Sequence, residues 1–219
     1  MFQVRFHGRG GQGVVTAAEM LSIAAFDEGR HAQAFPSFGS ERTGAPVVAF
    51  CRIDDREIRL REPIVAPDAL IIQDSTLLHQ VDCFAGLKPD GYILINTGKS
   101  FAELGLGDFV ANYRRERLCT LPATELALKH VGRPVPNVPL LGAFAAITGI
   151  VRLDSVLKAI RERFSGKVAE GNAAAAKEAY AIAKAEMEEA KLAPTLASLA
   201  APTGGAALLG TAHRRAGHA

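Results

Sequence analysis

A strand that runs straight into a glycine-rich turn and then a helix leaves a chain few folds to adopt, and this sequence begins with one. Residues 2–7, Phe-Gln-Val-Arg-Phe-His, form a short strand pattern. Gly8-Arg9-Gly10-Gly11-Gln12-Gly13 follows, and an apolar helical pattern starts at Val14. The glycines have the spacing G-x-G-x-x-G, the opening of a dinucleotide-fold βαβ unit. That spacing assigns Gly8 to the tight turn and Gly10 to close approach of a backbone or an anion. Gly13 is assigned to packing of the helix on the strand.

Downstream, strand and helix patterns alternate. The expected class is therefore α/β: a Rossmann-like, mainly parallel sheet flanked by helices. Strands are expected at 31–35, 47–53, 69–73, 92–95 and 118–121, and helices at 14–28, 123–131 and 140–151. Asp54-Asp55 reads as a turn and 56–60 as a returning strand, a β-hairpin inserted in the parallel pattern. Ser75 is the expected cap of a helix through 87, and 101–112 reads as a short helix weakened by Gly105 and Gly107. Residues 132–139 carry three prolines around Asn137 and read as irregular. Asp154 and Asn172 are the expected caps of C-terminal helices ending near 164 and 192. Ala176, Tyr180, Ala183 and Met187 form one narrow stripe on the last, suited to docking on a partner or on the chain's own sheet. This divides the chain into a domain over 1–192 and a flexible or partner-bound tail over 193–219.

A turn that held NAD would want an Asp or Glu at the end of the second strand for the ribose. Here that end is Gln33-Ala34-Phe35-Pro36, and Glu41 lies farther along, in a loop. An NAD-dependent enzyme is disfavoured. No catalytic constellation emerges either: the six histidines are scattered, and Ser37 and Ser40 sit in no G-x-S-x-G elbow. Asp74 and Asn96 stand at strand ends, where α/β ligands bind and where capping residues also stand.

The three cysteines, Cys51, Cys83 and Cys119, lack C-x-x-C spacing. They read as buried reduced thiols of a cytoplasmic protein rather than ligands of an iron–sulfur cluster or metal. A net charge of +2 without a long basic run argues against a nucleic-acid partner, and no apolar run is long enough to span a membrane. A 23.2 kDa chain with a good core and no catalytic set suggests a subunit of something larger.

The glycine turn with Gln12, followed by Ser40-Glu41-Arg42-Thr43-Gly44-Ala45-Pro46-Val47, resembles the gamma subunit of the 2-oxoacid:ferredoxin oxidoreductases, the pyruvate:ferredoxin oxidoreductase family. Asp74, Asn96 and Asn137 before Leu140-Leu141-Gly142-Ala143 also sit where that family has such residues. The resemblance covers about residues 1–190. It implies a non-catalytic subunit in a complex that converts a 2-oxoacid and coenzyme A to acyl-CoA and CO2. Thiamine diphosphate with Mg2+ would sit on alpha and beta subunits. [4Fe–4S] clusters on a ferredoxin-like subunit would pass electrons to ferredoxin or another acceptor. The resemblance leaves open pyruvate, 2-oxoglutarate, branched-chain, indolepyruvate and phenylglyoxylate as substrates. Gly8, Gly10, Gly11, Gln12, Gly13, Glu41, Arg42, Gly44 and Asn96 are the residues expected to meet coenzyme A, because helix N-termini and arginine both favour phosphate. The alternatives are a stand-alone nucleotide or coenzyme A binding module, and a glycine turn and loop that serve only as scaffold.

Overall fold

The computed structural model describes residues 1–37 and 43–200, with side chains of the last helix through 192. Glu41, Arg42 and residues 201–219 of the expected tail lie outside the described residues. Six strands form one sheet in the order β2-β3-β1-β4-β5-β6. They are β1 (Phe2–Arg9), β2 (His31–Pro36), β3 (Pro46–Asp54), β4 (Ala69–Ile72), β5 (Tyr92–Asn96) and β6 (Leu118–Leu121). β1, β4, β5 and β6 run parallel, and β3 lies antiparallel between β1 and β2. Only β3 opposes the common direction, so the sheet is mixed and mostly parallel.

The inserted hairpin is made by β2 and β3, not by 47–53 with 56–60. β3 is paired along both edges, so no edge remains for a returning strand. The Asp54 turn is present, its carboxylate accepting the Arg56 N–H at 3.0 Å. The register separates two faces of this half-sheet. Val4, Phe6, Ala49, Cys51 and Ile53 point to one side, where they are fully buried. Arg5, His7, Val48, Phe50 and Arg52 point to the other.

α1 (Val14–Asp27) packs on the first face through Ala17, Ala18, Leu21, Ala24 and Ala25, all fully buried. Small side chains let the helix lie close on the sheet. α4 (Asn137–Thr148) is apolar on every side because it is sandwiched between the sheet and α6 (Gly166–Ala200). A Cβ on Gly142 would lie 2.1 Å from the Ala176 carbonyl oxygen, so the two backbones touch. The alanine stripe of α6 therefore docks within the chain, on α4 and on α3 (Ala123–Val131).

Several element boundaries differ from expectation. The helix expected at 75–87 is a 3-10 turn over Ser75–His79 capped by Asp74, whose side chain accepts the Thr76 N–H. Beyond it Asp82 bonds the Phe84 N–H locally, which competes with a helix. Of 101–112 only α2 (Gly107–Val110) is helical, since Gly105 takes φ +73°. α4 begins at Asn137 and carries Pro139 in its first turn, where a missing N–H costs nothing. α5 (Leu153–Arg163) has no side-chain cap. α6 begins at Gly166, and Asn172 lies inside it, bonding the Val168 carbonyl at 2.9 Å. Its backbone runs to Ala200, past the end expected near 192. Among the described residues no helix is long and apolar enough to cross a membrane.

Candidate functional site

The carboxyl ends of the parallel strands are where this fold offers a crevice, and the glycine turn lies there between β1 and α1. Gly11 (φ +94°) and Gly13 (φ +70°) supply the left-handed backbone of the turn. Gly8 does not turn. Its missing Cβ leaves room for Val14, which a Cβ would meet at 2.5 Å, so Gly8 is the residue that lets helix approach strand. Gly13 is pressed on a different neighbour: a Cβ there would lie 2.4 Å from Nδ2 of Asn137. That amide donates to the Gly13 carbonyl at 3.2 Å and joins the starts of α1 and α4. Gly10 donates to the Ala45 carbonyl at 2.9 Å, and Gly44 donates back to Gly10 at 3.0 Å. The turn is thus clipped to the start of β3.

Arg9, inside the glycine motif, organises the rim. Its Nε donates to Asp74 at 3.1 Å, Nη1 to the Gly44 carbonyl at 3.1 Å and Nη2 to Thr76 and Gln80 at 2.8 and 3.1 Å. Gln12 bridges the same parts. Its Oε1 accepts the Arg9 N–H at 2.8 Å, and its Nε2 donates to Asp74 at 3.0 Å. Burial alone would raise the Asp74 pKa. Hydrogen bonds from Thr76 and Gln12 and the Arg9 charge outweigh it and hold the carboxyl below its ordinary value. Asn96 is equally committed: Nδ2 donates to the Gln73 carbonyl and the Thr124 hydroxyl, each at 2.8 Å, and Oδ1 accepts the Thr124 N–H at 3.1 Å. It closes the ends of β4 and β5 onto α3.

What stays open is the start of α1. It has no side-chain cap and no acidic residue in its first turn. Among the described residues no group accepts from its first amides, which border a cavity of about 290 Å³ lined by Gly10, Gly11 and residues 13–16. A second cavity of about 220 Å³ adjoins the turn and includes Gly13, Thr16, Arg133, Arg163 and Asn172. Sequence reasoning missed Arg9, Arg133 and Arg163. Arg9 stands within the motif, but its partner Asp74 is brought to it by the β1–β4 register. Arg133 and Arg163 are distant in sequence and carry no motif.

β2 is not the ribose-binding neighbour of β1. β3 intervenes, displacing β2 by two strand spacings, about 10 Å. Among the described residues no three His, Cys, Asp or Glu side chains gather to hold a metal. The three thiols are buried and free, and burial raises their pKa, to about 11 at Cys83 and about 12 at Cys119. Their separate placement, on β3, beyond the 3-10 turn and on β6, does not fit a cluster.

The fold and site define a class: a dinucleotide-type α/β scaffold whose glycine turn is tied into its own rim. The chain belongs to the pyruvate ferredoxin/flavodoxin oxidoreductase family, whose model matches residues 3–182. It is 48% identical over 180 residues to pyruvate synthase subunit PorC of Methanothermobacter marburgensis, spanning 82% of this chain and 96% of that one. It is 48% identical over 182 residues to the pyruvate/ketoisovalerate oxidoreductases common subunit gamma of Pyrococcus abyssi, with the same coverage. The crystal structure of pyruvate oxidoreductase subunit PORC from Thermotoga maritima superposes with a TM-score of 0.68 at 36% identity, over 82% of this chain and 95% of that one.

Proposed function

We propose that this chain is the gamma subunit of a pyruvate or related 2-oxoacid oxidoreductase, a structural member that performs no chemistry by itself. The observation that carries the reading is the near-full-length match to subunits of such enzymes, on a chain whose own strand-end polar groups are spent on one another. In this reading alpha and beta subunits hold thiamine diphosphate and Mg2+, and a ferredoxin-like subunit holds [4Fe–4S] clusters. Together they oxidise a 2-oxoacid with coenzyme A to acyl-CoA and CO2, and two electrons leave to ferredoxin or another acceptor. One relative is named as common to pyruvate and ketoisovalerate enzymes, which supports placing substrate choice on other subunits.

This chain would also meet coenzyme A. The uncapped start of α1 suits a phosphate, and Arg133 and Arg163 beside the turn add two cations. In the reconstituted complex, Arg133→Ala with Arg163→Ala should raise KM for coenzyme A about tenfold and leave KM for the 2-oxoacid unchanged. An unchanged KM for coenzyme A would remove the contact from the reading. The isolated chain should bring no activity, iron or thiamine diphosphate. Micromolar coenzyme A binding by the chain alone would favour a stand-alone binding module instead.

A further inference from the structure

The glycine turn is built almost without side chains, and the one it has reaches away from the cavities it borders. Three of the four residues between Arg9 and Val14 are glycines. Gly11 and Gly13, on either side of Gln12, take φ of +94° and +70°. Backbone of this kind has many conformations open to it. Ordering it on binding costs entropy, so a turn that meets a ligand through its amides gains from being fixed beforehand.

The ends of the turn are held from outside. Gly10 is clipped to Gly44 and Ala45, and the Gly13 carbonyl accepts from Asn137. The middle is held through Gln12. Its backbone N–H donates to the Arg9 carbonyl at 3.0 Å and closes the turn. Its side chain ties the turn to the end of β4, with Oε1 accepting the Arg9 N–H at 2.8 Å and Nε2 donating to Asp74 at 3.0 Å.

Asp74 is the fixed end of this tether. Oδ2 accepts from Gln12 Nε2 and Arg9 Nε, and Oδ1 accepts from the Thr76 N–H at 3.0 Å and its hydroxyl at 2.5 Å. Both oxygens face donors, so an Asn in this position would turn its own N–H onto a donor whichever way it faced. The Arg9 guanidinium, 3.1 Å away, also neutralises a carboxylate that would otherwise repel an anion at the turn. Gly11 and Gly13 line both cavities at the turn, whereas neither Gln12 nor Asp74 lines either.

We infer, resting on the coenzyme A contact proposed above, that Asp74 is a positioning residue for that ligand: through Gln12 it fixes the backbone of the glycine turn in the form that receives phosphate. Neither side chain touches the ligand. Gln12, although part of the motif, acts by way of β4.

The test measures KM and kcat of the reconstituted complex carrying Asp74→Asn, Gln12→Ala or both. Each single variant should raise KM for coenzyme A about tenfold and leave KM for the 2-oxoacid, and kcat at saturating coenzyme A, unchanged. The double variant should be no worse than the worse single, because both cut one tether. Gln12→Ala keeps Asp74 bonded to Arg9 and Thr76, and it decides the matter if Asp74→Asn fails to assemble. Asp68→Asn is the structural control. Asp68 stands at the other end of β4, where it accepts the Gln3 N–H at 2.8 Å and pairs with Lys88 at 2.6 Å. Its loss should lower the unfolding midpoint without moving KM for coenzyme A. An equal rise in KM in Asp68→Asn would overturn the inference and reduce Asp74 to a structural role. Additive effects in the double variant would overturn it in favour of direct contact by Gln12. A lowered KM in Asp74→Asn would also overturn it, with Arg9, released from its counter-ion, gripping the phosphate instead. Unchanged KM in both singles, beside a raised KM in the Arg133→Ala, Arg163→Ala variant, would remove the positioning role and leave the contact standing. Unchanged KM in all of them would remove the contact itself.

Discussion

Asp74 concentrates the polar contacts of the glycine turn on one carboxylate. It answers Arg9, Gln12 and Thr76 from the end of β4, so its loss strands three donors at once. Asp74→Ala should cost about 1–3 kcal/mol in urea unfolding. Its folded pKa lies below the ordinary 3.8, so its contribution is fully present above that value. The contribution should fade as pH falls through the folded value, and the stability gap between wild type and Asp74→Ala should narrow there. His7 has the opposite charge type and the same direction in pH. Its pKa falls from 6.5 to about 4, so the unfolded chain takes up its proton first as pH drops. Stability should decline between those two values by about 3 kcal/mol, level off below them, and lose this limb in His7→Phe. Both groups were visible in the sequence as strand-end polar residues. Their partners were not, because Arg9 and Asp74 are joined by the β1–β4 register, which no local pattern encodes.

At the scale of elements, apolar periodicity located what packing also required. β6 and α3 appear with the bounds their sequence predicts, as a buried run and an amphipathic stretch. Residues 56–60 had a strand's alternation and no free edge to pair with. Asn172 had a cap's chemistry, yet α6 had already started at Gly166, because Gly171 and the alanines after 172 pack on α3 and α4. The glycine roles redistributed for a similar reason: spacing identified the motif, while the contact of each glycine depends on helices elsewhere in the chain. Gly13 faces Asn137, 124 residues away. Gly13→Ala would combine a positive φ with a 2.4 Å contact, and Gly142→Val would force α4 off α6. Each should destabilise the chain by about 1–3 kcal/mol or more, read as a lowered unfolding midpoint. A Gly29→Ala control has open space around it and carries only the positive-φ strain.

For the whole molecule, the sequence made the fold class and the family resemblance legible. It left the face carrying Arg5 and His7 unread, because alternation along β1 marks which residues share a face without showing what covers that face. The two sides of the half-sheet now have different tasks. One is closed by the alanines of α1; the other buries Arg5, whose guanidinium donates to the carbonyls of Cys83 and Ala85. The proposed place of this chain is in a complex whose other subunits perform the chemistry, as its match to subunits of pyruvate oxidoreductases supports. The most direct measurement of that claim is 2-oxoacid-dependent reduction of ferredoxin in the presence of coenzyme A, assayed on this chain, on the remaining subunits, and on the two combined. Activity only in the combination, with all iron and thiamine diphosphate traced to the other subunits, is the predicted result. Decarboxylation of a 2-oxoacid by this chain alone would contradict it.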